Sequence, residues 1–427
     1  MIFVPEAVHA APELFNTRVA MDGSLNFRRS TTEQFNPIRG QSVLERPRPD
    51  FDPTPIPLGG FQLFPAISAG AYYNSNIYSS AVSTKDDVVT VLTPTLSAVS
   101  NWGKHAVAFT GSADFAKYAA QDSESYLGGF MQAEGRYDLL PKTWLAGNIS
   151  YQRVTEPRSS PSVLSVAAEP TQYNLYNAGA EAYRGLGILR LKGNYDFSSY
   201  DYGTVTLVSG GVSNQNVRNR QTHALQIEAE YKISENLKPF VRAVQDWRDY
   251  SVNSLRSSTG HQIDAGARMD LGGLITAEAY IGFLGRNYHN FSGGSPRVVD
   301  FGGNALWNVT PLTSVQFEFS RSIEETTVGG ATSPLAASAA LSTGGSVRVA
   351  HELRRDVLLQ MKFSFAKYDY ARSFRRDDQY GLAAGSRYFI NRNLFADVGY
   401  NFSARGSNAA GGNYSDHALM FRIGAHF

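Results

Sequence analysis

The chain ends on DHALMFRIGAHF, residues 416–427. Leu419, Phe421, Ile423, Ala425 and Phe427 share one parity, and Ala418, Met420, Arg422, Gly424 and His426 share the other. A period of two describes a strand with two different faces. One face here is apolar, and the other is mixed and carries charge. A half-buried strand of a soluble sandwich would show the same pattern. The fold therefore turns on whether the rest of the chain repeats it, and how the repeats are joined.

It does repeat. From Phe61 onward, strand-like runs of about 10 residues recur to the end. Their connections alternate between two kinds. Short turns lie at residues 101–104, 139–143, 184–187, 234–237, 271–274, 308–313, 353–357 and 391–393. Between successive short turns come two strand-like runs joined by a longer polar linker, such as EPRSSPSVLSVAAEPTQ or TTVGGATSPLAASAALSTGG. A strand on each side of every short turn gives about 16 strands, and the runs at either end bring the count to about 18. A soluble sandwich has no reason to make every second connection short. A membrane barrel does, because its periplasmic turns are short and its outer loops long. Hydrocarbon leaves no way to satisfy a free sheet edge, so the sheet must close. The predicted fold is all-β: a transmembrane antiparallel outer-membrane β-barrel spanning residues 61–427, with both ends on the periplasmic side.

Parity then sorts the side chains. In ALQIEAEYKI, Leu225, Ile227, Ala229, Tyr231 and Ile233 are lipid-side, with Glu228, Glu230 and Lys232 in the lumen. The same reading places Arg242, Arg248, Asp264, Arg268, Asp270, Glu278, Glu318, Arg348, Glu352 and Lys362 in the lumen. His351 falls on the apolar side, near a turn. Charges of one sign would mark an ion-selective pore. This mixed set instead suits a neutral or weakly charged polar solute, or a partly filled lumen with cross-pore pairs. Pro94 interrupts its strand as a ladder donor and predicts a bulge. Tyr72, Tyr73, Tyr78, Tyr195, Phe197, Tyr368 and Tyr370 fit interfacial girdles, or stacking platforms if they face inward.

Composition agrees with the fold and excludes other classes. Basic and acidic side chains balance at 39 against 38, which gives no electrostatic case for a nucleic-acid partner. Without Cys there is no disulfide framework and no thiolate metal site. No apolar run approaches about 18 residues, the length of a membrane helix. Abundant Gly, Tyr and Phe with a mean hydropathy of -0.27 suit alternating membrane strands.

Before the barrel, residues 11–60 form a segment without a core. RPRPDFDPTPIPLGG should be extended and stiff, as a periplasmic strap or spacer. Residues 1–10 read as a possible signal-peptide remnant, since Val8-His9-Ala10 has the small-residue form of a cleavage site.

No catalytic constellation emerges. His105, His223, His261, His289, His351, His417 and His426 show no spacing suited to zinc. No Ser sits in a nucleophile elbow. FLGRNYHNFSGGSP reads as an outer loop and not as a phosphate loop. Arg372, Arg375 and Arg376 in ARSFRRDD form a loop cluster, either a solvated tip or a contact for lipopolysaccharide phosphates. No enzyme activity, cofactor or metal is expected.

Several features before Tyr118 stand together: an Arg-Pro segment, Leu58-Gly59-Gly60-Phe61, Pro65, Tyr73-Asn74-Ser75-Asn76-Ile77-Tyr78, Pro94 and Trp102. In these the chain resembles the putative β-barrel porin 2 family of Gram-negative outer-membrane proteins, from about Glu45 through the barrel. The resemblance implies a barrel that often accompanies exopolysaccharide export, paired with a periplasmic export lipoprotein. The leading expectation is thus a porin-like conduit for a secreted polysaccharide. The alternatives are passive diffusion of small polar solutes, and a plugged structural or adhesion barrel. The other expected partners are outer-membrane lipid with lipopolysaccharide and the outer-membrane assembly machinery. That machinery would read Leu419, Phe421, Ile423 and Phe427 as its signal.

Overall fold

The computed structural model describes residues 40–164, 166–288, 296–328 and 339–427. The expected cleavage site, most of the pre-barrel segment, His289 and most of the 289–296 loop lie outside the described residues. One continuous 19-stranded sheet dominates the molecule, beside a two-stranded ribbon of Thr204–Thr206 and Val212–Asn214, and the large sheet's shortest member, Ile56–Leu58, only extends the edge of the first long strand. The other 18 make the wall. In chain order the first nine are β1 Phe61–Asn74, β2 Asp87–Ser100, β3 Ala106–Tyr118, β4 Tyr126–Leu140, β5 Thr143–Thr155, β6 Gln172–Leu186, β7 Leu189–Tyr202, β8 Arg220–Tyr231 and β9 Leu237–Tyr250. The second nine are β10 Ser258–Leu271, β11 Ile275–Tyr288, β12 Arg297–Thr310, β13 Thr313–Glu325, β14 Ala339–Arg354, β15 Val357–Tyr370, β16 Arg376–Phe389, β17 Leu394–Ser407 and β18 Tyr414–His426.

Every strand pairs antiparallel with its chain neighbours, and β18 pairs with β1 from Ala66↔His426 to Asn74↔Ala418. That last pairing closes the barrel. It is also why the chain ends on a strict alternation, since its last strand has a neighbour on both sides and two unlike faces. Every short turn expected from the sequence is present. Residues 141–142, 187–188, 311–312 and 355–356 make two-residue connections. The opposite rim carries the longer ones, among them 75–86, 156–171 and 203–219.

Two faces separate as parity requires. Phe283 on β11 points outward and is 72 % exposed, whereas inward Asp300 on the adjoining β12 is fully buried. Met131, Ile149, Ile263 and Leu419 are likewise outward. A soluble protein does not leave such a belt in water, and here it is the lipid face. Two expectations need correction. Pro94 leaves a gap in the β2–β3 ladder, but the pairs on either side, Leu92↔Phe115 and Thr95↔Ser112, keep one register, so there is no bulge. Its ring removes a donor without adding a residue. Among the expected girdle aromatics, Tyr73 and Tyr195 do face out, but Tyr72 and Tyr370 are buried inside and Tyr368 shares the parity of Tyr370. The parity of these strands places them on the lumen side.

This topology predicts a labelling pattern. Leu186 closes β6 at a short turn, and Asn408 opens the loop before β18. On intact cells an impermeant thiol reagent should modify Asn408→Cys and miss Leu186→Cys. The reverse pattern would invert the barrel.

Candidate functional site: the lumen and its two mouths

The structure places Glu228, Glu230, Arg242, Arg248, Asp264, Arg268, Asp270, Glu278, Glu318, Arg348, Glu352 and Lys362 on the inward parity of their strands. Lys232 departs from its expected place. It lies beyond the end of β8, in the turn, and pairs with Glu235 there. The sequence alternation runs one residue past Tyr231, where the strand stops.

Most of these charges are brought together on one arc. Arg268 on β10 reaches Glu228 and Glu230 on β8, each at 2.7 Å, and Glu278 on β11 at 2.8 Å. Arg242 on β9 pairs with Asp264 at 3.0 Å and approaches Glu278 at 3.6 Å. Arg190 on β7 extends the chain to Glu230 at 3.0 Å. Contacts such as Arg268 to Glu228 skip a strand, so only the concave side of the wall can hold them. A smaller cluster sits on the far arc, where Arg387 and Arg422 share Asp397 at 2.8 and 2.6 Å. Glu318 and Arg348 join no ion pair among the described residues. Arg348 stands opposite Lys362 across the β14–β15 pair. The wall is thus polar but largely self-neutralised, through charge-assisted bonds that hold each side chain in place.

The outer mouth is narrowed by the loop of residues 156–171. At its start, Glu156 receives two bonds from Arg218, at 2.9 and 2.7 Å, and both side chains are buried. Arg218 also lies over the Tyr202 ring at 4.2 Å. Burial alone would make this guanidinium easier to deprotonate. The facing Tyr202 and Glu156 outweigh that and raise its pKa above the ordinary value. Arg158 bonds Glu124 at 3.0 Å and lies over Tyr78. Arg405 on β17 donates to the Ser159 carbonyl at 3.1 Å. Thr327, beyond β13, donates from its backbone to Ser162 Oγ and from its hydroxyl to the Ser162 carbonyl, both at 3.2 Å. Ala167 then bridges to Leu207 beside β7. Arg218 and Arg405 stand on opposite sides of the wall, so the loop crosses the mouth.

The anchors share a pattern. Strands β3, β7, β9, β11 and β15, which run toward this rim, each end on a buried tyrosine: Tyr118, Tyr202, Tyr250, Tyr288 and Tyr370. Arg256 lies over Tyr250, Arg375 over Tyr370 and Arg405 over Tyr414. The ring supplies apolar contact and its face attracts the guanidinium. The expected arginine cluster is absorbed here. Arg375 pairs with Asp377 at 2.6 Å, and the exposed Arg376 pairs with Asp369 at 3.2 Å.

The opposite mouth holds the pre-barrel segment. Ser42 N–H donates to the Glu45 carboxylate at 2.9 Å, which nucleates the single turn Val43–Glu45. Val43 is fully buried against Ala350 and Leu358, and its N–H donates to Ser314 Oγ at 2.9 Å. Arg48 pairs with Glu352 at 3.4 Å and donates to the Val43 carbonyl at 2.6 Å. Arg392 binds the Pro49 carbonyl at 2.9 Å, and the Phe51 and Phe389 rings meet at 5.7 Å. Residues 42–51 therefore wedge inside the short-turn mouth along β13–β16. The wall uses several of their polar groups.

Residues 48–427 match the family described as Putative beta-barrel porin 2. The chain belongs to that family. Three solved structures are similar to this porin in fold. A BenF-like porin from Pseudomonas fluorescens Pf-5 has 12% identity and a TM-score of 0.45, with 87% of this chain and 100% of that one covered. OpdO of Pseudomonas aeruginosa has 12% identity and a TM-score of 0.45, covering 86% and 97%. OccK2 (OpdF) of the same species has 8% identity and a TM-score of 0.46, covering 86% and 98%. Among curated proteins, no sequence match was found. Several groups in this porin's lumen were not singled out from its sequence: Arg190, Asp246, Arg286, Arg387 and Asp397. The parity rule that found Arg268 finds these too, once each strand's register is known. The wedge had a local signal in Ser42-Val43-Leu44-Glu45, the spacing of a capping box.

Proposed function

We propose that this chain is an outer-membrane porin of a Gram-negative bacterium that passes small polar solutes between the outside and the periplasm. The observation that carries the reading is the crossing of the outer mouth by residues 156–171, tied down on both sides. A polymer needs one continuous wide bore. Here one inward-folded loop and one inward-folded wedge lie on the path, which favours small solutes over the secreted polysaccharide expected from the family resemblance. The self-neutralised wall supports weak charge selectivity, because few charges of either sign are left over to repel an ion.

Proteoliposome swelling tests this. Monosaccharides and disaccharides should enter at measurable rates, with rates falling steeply as the sugar grows and none for a polysaccharide fragment. Equal entry of large oligosaccharides would restore the export reading.

In the same reading, the assembly machinery takes hold of the β18 face of Leu419, Phe421, Ile423 and Phe427. Phe427 N–H donates to the Pro65 carbonyl at 3.0 Å, at the seam that closes the barrel. Deleting Phe427 should reduce heat-modifiable protein in outer-membrane fractions. Undiminished assembly would remove this role.

A further inference from the structure

The ladder between β12 and β13 stops part-way up the wall. It runs from Thr310↔Thr313 to Gly302↔Ser320 and goes no further. Above that, β12 continues to Arg297 paired with β11 alone, and β13 continues to Glu325 paired with β14 alone. Residues 297–301 and 321–325 thus present facing edges without a shared pair. An unpaired edge is a liability in any sheet, and most of all in a membrane barrel. Arg321 bridges the gap, donating to the Val299 carbonyl at 3.2 Å and lying over the Phe301 ring at 5.4 Å.

The upper part of β13 passes inside β12. Ile323 and Glu325 have the parity of Phe317 and Phe319, which face lipid. Yet Ile323 is buried against Tyr288 and Ala339. Glu325 accepts bonds from Arg248 at 2.8 Å and from Tyr250 at 3.0 Å, both on the inner face of β9. Just beyond, Thr327 meets Ser162 of the crossing loop. The tucked strand and the crossing loop therefore enter the mouth from two sides and meet at two hydrogen bonds.

The missing ladder is nevertheless written in the sequence. Continuing the register of Gly302↔Ser320 would set Val299 opposite Ile323 and Arg297 opposite Glu325, both on the outward parity. An apolar pair facing lipid and an opposite-charge pair at the rim are favourable cross-strand partners. Ile323 and Glu325 thus have one set of partners inside and a second offered by the wall register, which also keeps Arg321 beside Phe301 as it is now.

We propose that the upper part of β13 is a two-position gate: tucked inward it closes the outer mouth, and zipped onto β12 it opens the mouth. The inference rests on the porin reading above and supplies its regulation. Two discrete packings of one element, each internally satisfied, are what a switch requires. The β14–β15 ladder runs unbroken to Ala340↔Tyr370, so the movement is a change of coil at the β13–β14 edge and not a loss of the strand.

The chain has no Cys, so engineered pairs report directly. Ser162→Cys with Thr327→Cys captures the closed position, and Val299→Cys with Ile323→Cys captures the open one. Both disulfides should form in folded, heat-modifiable barrels under mild oxidant. In planar bilayers the first should lower conductance severalfold and the second raise it severalfold, each reversed by reductant. Arg297→Glu touches no contact of the tucked strand but sets two acids together in the zipped one, so it should cut open time severalfold. Absence of either crosslink, or conductance indifferent to both, overturns the gate. Silence of every form, crosslinked or reduced, overturns the porin reading instead. Conduction that is equal in all forms overturns the gate alone.

Discussion

Deleting residues 42–54 is expected to raise the conductance of the reconstituted barrel severalfold while leaving it folded. The segment adds little to the wall. Its main apolar anchor is Val43, whose burial is worth about 1.5–3 kcal/mol, and the closed sheet beneath it does not depend on that contact. What the segment does is occupy the short-turn mouth between Ser314, Ala350, Glu352 and Leu358. Removing it admits water to Glu352, which then needs no partner. Arg48→Ala should behave differently. It leaves the wedge in place and buried Glu352 with only the exposed Arg355 at 3.9 Å, a loss of at most roughly 3–5 kcal/mol when a buried pair is broken from one side. Thermal unfolding should therefore separate the two variants, with Arg48→Ala the less stable although it removes less. A deletion that fails to change conductance would place the segment outside the path of solutes.

Cutting the Glu156–Arg218 pair should have the second large effect. Both side chains are buried and joined by two bonds. Glu156→Gln strands a guanidinium against Tyr202, and Arg218→Met strands a carboxylate. Each should cost on the order of 3–5 kcal/mol, less where water follows the freed loop inward. The double variant should recover part of the loss, because neither charge is then left alone. Conductance should rise in all of them, since residues 156–171 lose the anchor on the β8 side. Equal stability of the single and double variants would show that the pair does not hold the loop.

The barrel was legible because its signal is local and repeated. Alternation fixes which side each residue faces, and the rhythm of short and long connections fixes which end each turn occupies. The ending at Phe427 needed no more than that. Arg268 and Glu228 were legible as inward for the same reason. Their meeting was not, because parity orients side chains without stating which strands they reach across. Tyr72 and Tyr370 stayed ambiguous because an aromatic near a strand end suits a lipid interface and an inner collar equally well, and only the exact register separates them. The crossing loop was invisible for a deeper reason. Glu156, Ser159 and Ser162 are ordinary loop residues whose partners Arg218, Arg405 and Thr327 lie far along the chain. β13 is the instructive case. Its outward parity runs from Val315 through Phe317 and Phe319, meets Arg321, and resumes at Ile323, and there the strand leaves its neighbour. The pattern describes the zipped wall, and the tucked arrangement depends on Tyr288 and Arg248, which no local rule connects to it.

Single-channel recording of the purified, folded barrel in planar bilayers tests the account most directly. A lumen lined by paired charges, crossed at one mouth and wedged at the other, should give discrete small steps with weak preference for either ion, and removal of residues 42–54 should enlarge them. A bilayer that stays silent with both the intact and the shortened barrel inserted would contradict the account.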